Sequence, residues 1–114
     1  MANAFPPELV RGCAELVLLT ILIPRPMYGY EVLTTLEERG NGGFQFKQGT
    51  LYPLLYRLER EGWIEAEWVE PEGAKRRKTY RITRDGRRAQ RAKAAEWRRL
   101  QEAVEALLQE AGRA

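Results

Sequence analysis

Two groups of side chains in this chain of 114 residues have the types and spacing to act on a charged partner. The first is Thr50, Tyr52, Tyr56, Arg57 and Arg60; the second is the run Lys75, Arg76, Arg77 and Lys78. Tyrosine hydroxyls and guanidinium forks hydrogen-bond phosphate oxygens and base edges, and a compact run of cations neutralises a polyanion. Covalent chemistry lacks its reagents. The chain has no His and no Ser, a single Cys (Cys13) and a single Asp (Asp85). Ser-His and Cys-His nucleophilic arrangements are therefore excluded within one chain. A zinc site lacks its ligands, and one cysteine makes no intrachain disulfide. Glutamates occur in pairs, but none falls in a segment that reads as a pocket. The expectation is a protein that is not an enzyme and carries no metal or cofactor.

The first group is positioned by a helix. At ~100° per residue, Leu51, Leu54, Leu55 and Leu58 share one arc about 100° wide. Gly49, Pro53, Tyr56 and Arg60 lie opposite, with Tyr52 and Arg57 on the flanks. An ordinary surface helix interleaves Glu and Lys; here the only acids are Glu59 and Glu61, near the far end. Pro53, taken as a first-turn residue, places the helix start at Gly49 or Thr50, and Gly62 is a natural stop. An amphipathic core helix with incidental tyrosines is the blander alternative.

The second group belongs to a hairpin. Residues 63–69 alternate partly at period two and suit a strand, and Glu70-Pro-Glu-Gly73 supplies a turn. Residues 75–82 return as a second strand with Tyr80 and Ile82 on one face. Charge is segregated along the chain. Residues 1–74 hold 6 basic and 11 acidic side chains, residues 75–93 hold 10 and 1, and residues 94–114 hold 3 and 4. That concentration fits a polyanion better than a solvated charge run.

Upstream, Met1 to Pro7 reads as a loose lead-in. Glu8 to Ile23 reads as one helix, buried on most sides, with Leu9, Cys13 and Leu16 on its apolar face. Cys13 fits packing better than redox sensing, because only Arg11 is near enough in sequence to activate it. Pro24-Arg-Pro26 ends that helix. Tyr28 to Arg39 forms the next, with Gly29, Val32, Leu33 and Leu36 on one face, Gly29 permitting a close approach. Gly40-Asn-Gly-Gly43 is a break, and Phe44-Gln-Phe46 suits a very short strand. Three helices followed by a hairpin is the order of a winged helix-turn-helix, whose third helix enters the major groove.

Thr83 is a sound N-cap, and nothing stops the helix after it until Gly112. Its ~29 residues span ~43 Å, longer than the preceding domain is wide. Trp97, Leu100, Val104, Leu107 and Ala111 recur at spacings of 3 and 4 with Leu108 beside them, a seam of about two heptads. The first half carries Arg84, Arg87, Arg88, Arg91 and Lys93, hardly any of which can be buried. Pairing with a second chain would cover the seam; folding back on the domain is the alternative. The expected fold is mainly α with a small β-hairpin: a winged helix-turn-helix over residues 1–82 and a C-terminal dimerisation helix over 83–114.

Three motifs in order then meet a known pattern: Pro26 with Tyr28-Gly-Tyr-Glu31, Gly49-Thr-Leu-Tyr-Pro53 continuing into Leu58-Glu-Arg-Glu-Gly62, and the hairpin with Tyr80-Arg-Ile-Thr83. Over nearly its whole length the chain resembles the PadR family of bacterial transcription regulators, in its shorter branch with a single C-terminal dimerisation helix. That pattern usually has His where this chain has Tyr28. The resemblance implies a homodimeric repressor of double-stranded DNA. Its candidate contacts here are Tyr28, Tyr30, Lys47, Gln48, Gly49, Thr50, Tyr52, Pro53, Tyr56, Arg57, Arg60, Lys75, Arg76, Arg77 and Lys78. The dimer interface would use Leu9, Cys13, Leu16, Trp97, Leu100, Val104, Leu107 and Leu108. Some relatives bind an aromatic or lipophilic effector between subunits, which would place Trp97 and Leu100 at its site; a purely packing role is the alternative. The other functional readings are a ligand-sensing dimer and a winged-helix protein-interaction module without direct DNA binding. The longest apolar run, Leu16 to Ile23, is far short of the ~20 residues that span a bilayer. With no signal peptide evident, the expected location is cytoplasmic.

Overall fold

The computed structural model describes residues 4–73 and 75–113. The first three residues of the expected lead-in lie outside this range. In chain order the elements are α1 (Pro7–Arg11), α2 (Ala14–Leu22), β1 (Met27–Tyr28), α3 (Gly29–Arg39), α4 (Gln48–Arg60), β2 (Ile64–Val69), β3 (Arg77–Ile82) and α5 (Arg84–Gly112). α2, α3 and α4 enclose the core together with one face of the antiparallel sheet β1-β3-β2. Leu18 and Leu19 of α2, Val32 of α3, and Leu51, Leu55 and Leu58 of α4 are completely buried. Tyr80 and Ile82 close the core from β3, as their shared face predicts.

Four local expectations are corrected. The first helix is two helices, because Gly12 and Cys13 form a turn, with Cys13 at φ −123° and ψ 7°. The buried face of α2 is consequently Ala14, Leu18, Leu19, Ile21 and Leu22; Cys13 and Leu16 are left half-buried, and Leu9 exposed. Phe44-Gln-Phe46 is not a strand. Phe44 instead meets Phe5 edge-on, ring centroids 5.4 Å apart, and the Phe5 N–H donates to the Gly43 carbonyl. From Phe5 onward the lead-in is therefore anchored rather than loose. The sheet has three strands, since β1 pairs with β3 through Met27 opposite Tyr80 and Tyr28 opposite Thr79.

Two glycines allow close approaches. The Tyr52 ring lies over Gly29, where a Cβ would collide with it, so the expected close approach at Gly29 is present and its partner is α4. Gly86, in the first turn of α5, sits against the Trp63 carbonyl, which leaves no room for a Cβ. Beside it, the Thr83 hydroxyl donates to the Gly62 carbonyl (2.7 Å) and accepts from the Gly86 N–H (2.9 Å). These bonds fix the root of α5 to the end of α4. The α5 helix runs for the expected 29 residues, and the molecule measures 64 × 35 × 22 Å.

Candidate nucleic-acid interface

The α4 helix begins one residue before the earliest predicted start, at Gln48. Pro53 thus stands in its second turn rather than its first. There it removes an N–H from the helical ladder and crowds the Gly49 carbonyl four residues back. Gly49 is exposed, with open space where a Cβ would be. The other end is a Schellman closure. The Trp63 N–H reaches the Leu58 carbonyl, the Gly62 N–H reaches Glu59, and Gly62 takes φ +77°.

The N-terminus of α4 is electrostatically open. Lys47 occupies the N-cap position and makes no side-chain cap, and no acid stands in the first turn. Lys47, Gln48, Gly49 and Thr50 are all exposed. Helix N-termini attract anions through unpaired N–H groups and the helix dipole. From this end an exposed face continues through Tyr52, Pro53 and Tyr56 to Arg60. Tyr56 is 62% exposed, with the Arg60 guanidinium 6.0 Å from its ring centre. Tyr30 of α3 is also exposed, whereas Tyr28 is half-buried. The Tyr28 N–H donates to the Glu31 carboxylate (3.3 Å), and Arg77 stacks over the Tyr28 ring at 4.4 Å. Helix α3 and the wing therefore meet at Tyr28.

The wing cations form two kinds of arrangement. Lys78 reaches back to Glu59 of α4 (3.7 Å) and lies over the Tyr80 ring. Arg76 and Arg77 are exposed but stacked on aromatic rings, Arg77 over Tyr28 and Arg76 4.8 Å over Trp68 with only a long 3.9 Å approach to Glu70. Lys75 is exposed beside the turn. Trp68 is a further candidate that residue type and spacing do not single out. The period-two pattern puts it on the side of Ile64 and Ala66, yet it lies past the edge of the core and is 55% exposed. An exposed aromatic held under an arginine is suited to packing against a sugar or a base edge.

Arg57 is differently placed. It forms an ion pair with Glu15 of α2, and Glu15 also holds Lys93 of α5 at 3.6 Å. Its guanidinium turns sideways, along the wall of a cleft of about 720 Å³ between α1 and α4. Of the candidate DNA contacts, Arg57 alone is drawn to an acid of α2.

The candidate interface residues also come together. Cys13, Leu16, Trp97 and Leu100 border one shallow cleft, and Trp97 reaches a second, of about 460 Å³, lined by Val17, Ile21 and Phe44. Burial raises the pKa of the Cys13 thiol, which disfavours the reactive thiolate. Leu9 is exposed on α1, and Val104, Leu107 and Leu108 continue along α5. Among the described residues, no helix is long and apolar enough to cross a membrane.

Known proteins share this arrangement. A sequence profile described as the transcriptional regulator PadR-like family matches residues 18–92. A crystal structure of a PadR family transcriptional regulator from Eggerthella lenta is 39% identical, covering 89% of this chain and 86% of that one, with a TM-score of 0.79. A transcriptional regulator from Clostridium thermocellum is 31% identical over 86% of this chain and 95% of its own, with a TM-score of 0.80. A PadR-like transcriptional regulator from Bacillus cereus is 30% identical, covers 90% and 97%, and superposes with a TM-score of 0.78.

Proposed function

The chain belongs to the PadR-like family of transcriptional regulators, and on that premise we propose that it is a homodimeric repressor of double-stranded DNA, released by a small aromatic or lipophilic effector. Residues 1–82 would form the DNA-binding unit and residues 83–114 the dimerisation helix, working in the cytoplasm. What chiefly supports the reading is the exposed face of α4. Its uncapped N-terminus, Tyr56 and Arg60 are all exposed, and Lys78 of the wing is tied to the same helix through Glu59.

In this reading two copies of α4 enter successive major grooves about one DNA turn apart. Lys47, Gln48, Gly49 and Thr50 offer backbone and side-chain donors to a phosphate. Tyr52, Tyr56 and Arg60 face the groove, with Pro53 exposed among them. Arg76, Arg77, Lys75 and Trp68 meet the neighbouring backbone, and Tyr28, Tyr30 and Lys78 frame the wing. Arg57 serves only if Glu15 releases it. The second chain lies along Leu100, Val104, Leu107 and Leu108, with Leu9, Cys13 and Leu16 opposite the tryptophan.

Binding of a random-sequence duplex, followed by fluorescence anisotropy against salt, tests the DNA reading. Replacing Arg76 and Arg77 with Ala should weaken binding on every sequence and flatten the salt slope by about 0.9 for each phosphate no longer neutralised. An unchanged slope would remove the wing from the interface. Flat apolar compounds should quench Trp97 fluorescence saturably in a background with Trp63 and Trp68 changed to Phe. No quenching up to their solubility would sink the effector role.

A further inference from the structure

The strongest concentration of cations in the chain extends beyond the proposed reading surface. Arg84, Arg88, Arg91 and Arg99 of α5 are all exposed. At ~100° per residue they fall within an arc about 80° wide, and they extend over ~22 Å of helix. The arc points away from the domain. Of the buried or half-buried residues of the same stretch, Gly86, Ala89, Gln90 and Lys93 lie on the opposite side, in line with the Trp97–Leu108 seam, and Ala94 lies off the edge of the arc. A second chain on the seam would leave the arginines open.

Within the arc no acid intervenes between Arg84 and Arg99; the stripe ends at Glu102. Among the described residues its one ion pair is Arg88 with Asp85, at 3.5 Å and well exposed. Solvated helices usually pair opposite charges at i,i+4. Here Arg84 and Arg88 repel at that spacing, as do Arg88 and Arg91 at i,i+3. A polyanion laid along the helix would relieve both repulsions. The cations are all arginine, whose planar forks bind phosphate in two-point fashion. A duplex carries one phosphate per ~1.7 Å of its axis, so a straight row of guanidiniums meets phosphates along its length.

The stripe is also set apart from the wing tip, and only its first residue, Arg84, stands beside the end of α4, where Thr83 bonds the Gly62 carbonyl. It starts where β3 ends, roughly 20 Å of strand from the exposed wing cations. We propose that the outer arginine face of α5 is a second DNA-backbone site, which holds a duplex segment other than the one read by α4. A chain with both surfaces would bridge two segments or draw flanking DNA along its side.

The experiment uses the full chain, a 40-base-pair random duplex and low salt. Changing Arg84, Arg88, Arg91 and Arg99 to Gln should lower affinity at least ~10-fold and flatten the salt slope by about 0.9 for each phosphate released. It should also abolish capture of a labelled duplex by a bead-bound one. The same four positions changed to Lys should restore most of the slope, which separates charge from any effect on folding. A variant with Arg60, Arg76 and Arg77 changed to Ala should keep residual binding that the Gln changes then remove. That arm reads the α4 surface separately, so failure of either site shows independently. Wild-type affinity, slope and capture in the Gln variant would overturn the proposal. So would equally effective competition, per charge, by polyglutamate, which would make the partner an acidic polypeptide.

Discussion

Leu51, Leu55 and Leu58 of α4 have no exposed surface, whereas Leu100, Val104, Leu107 and Leu108 of α5, at the same kind of helical spacing, remain 45–67% exposed. The sequence pattern of the two helices is alike. What differs is the company each keeps: α4 is covered by α2, α3 and the sheet, while α5 runs past the last element able to cover it. Periodicity thus identifies an apolar face, and the length of the helix relative to its domain identifies which face the domain itself leaves uncovered.

Four measurements probe that contrast. Leu58→Ala should destabilise the fold by about 2–5 kcal/mol, because the surrounding core can only partly collapse into the space. Urea denaturation would show it; a cost below ~0.5 kcal/mol would mean that α4 is not the covered helix. Gly86→Ala should cost about 1–3 kcal/mol, since its new methyl must displace the Trp63 carbonyl at the joint between the covered and uncovered regions. An unaltered melting temperature would detach α5 from Trp63. Leu100→Ala should leave the dilute monomer within ~0.5 kcal/mol but weaken self-association by about 1 kcal/mol, a fivefold rise in dissociation constant by sedimentation. Equal association would take Leu100 out of the interface.

The smallest effect is on pH dependence. Burial, with lesser contributions from Tyr52 and Glu59, raises the pKa of Tyr80 above its usual value near 10. The phenol therefore ionises first in the unfolded chain. Its stabilising contribution is complete below that unfolded pKa and is lost as pH rises towards the folded one. Denaturation midpoints should fall above about pH 10 and fall less in Tyr80→Phe. A decline unchanged by that substitution would assign it to other groups.

Much of this is legible in the residues. The leucine arc of α4, the Gly62 stop, the Thr83 cap, the shared face of Tyr80 and Ile82 and the full length of α5 all rest on local spacing or capping chemistry, and all are present. The features that escape such reading have other causes. Strand β1 is two residues long and finds its partner more than 50 residues away, so no local pattern announces it. The break at Gly12 and Cys13 interrupts a run whose apolar periodicity continues across it. Pro53 stands deeper than first-turn placement predicts, because the helix starts at Gln48, ahead of the expected Gly49 or Thr50. The sideways turn of Arg57 depends on Glu15, 42 positions upstream, a relation visible only once the helices are packed. Trp68 is hidden for the opposite reason: its alternation suggests an inward residue, but the core ends before reaching it.

Thr83, bonded at once to the end of α4 and to the first turn of α5, makes the long helix a lever with its pivot beside the proposed reading surface. A tilt of ~5° at that pivot swings the distal tip of a ~43 Å rod by about 4 Å. Where two such rods are clasped near their tips, small changes in crossing angle would reset the stride between the paired α4 helices, and with it the groove spacing that they can straddle.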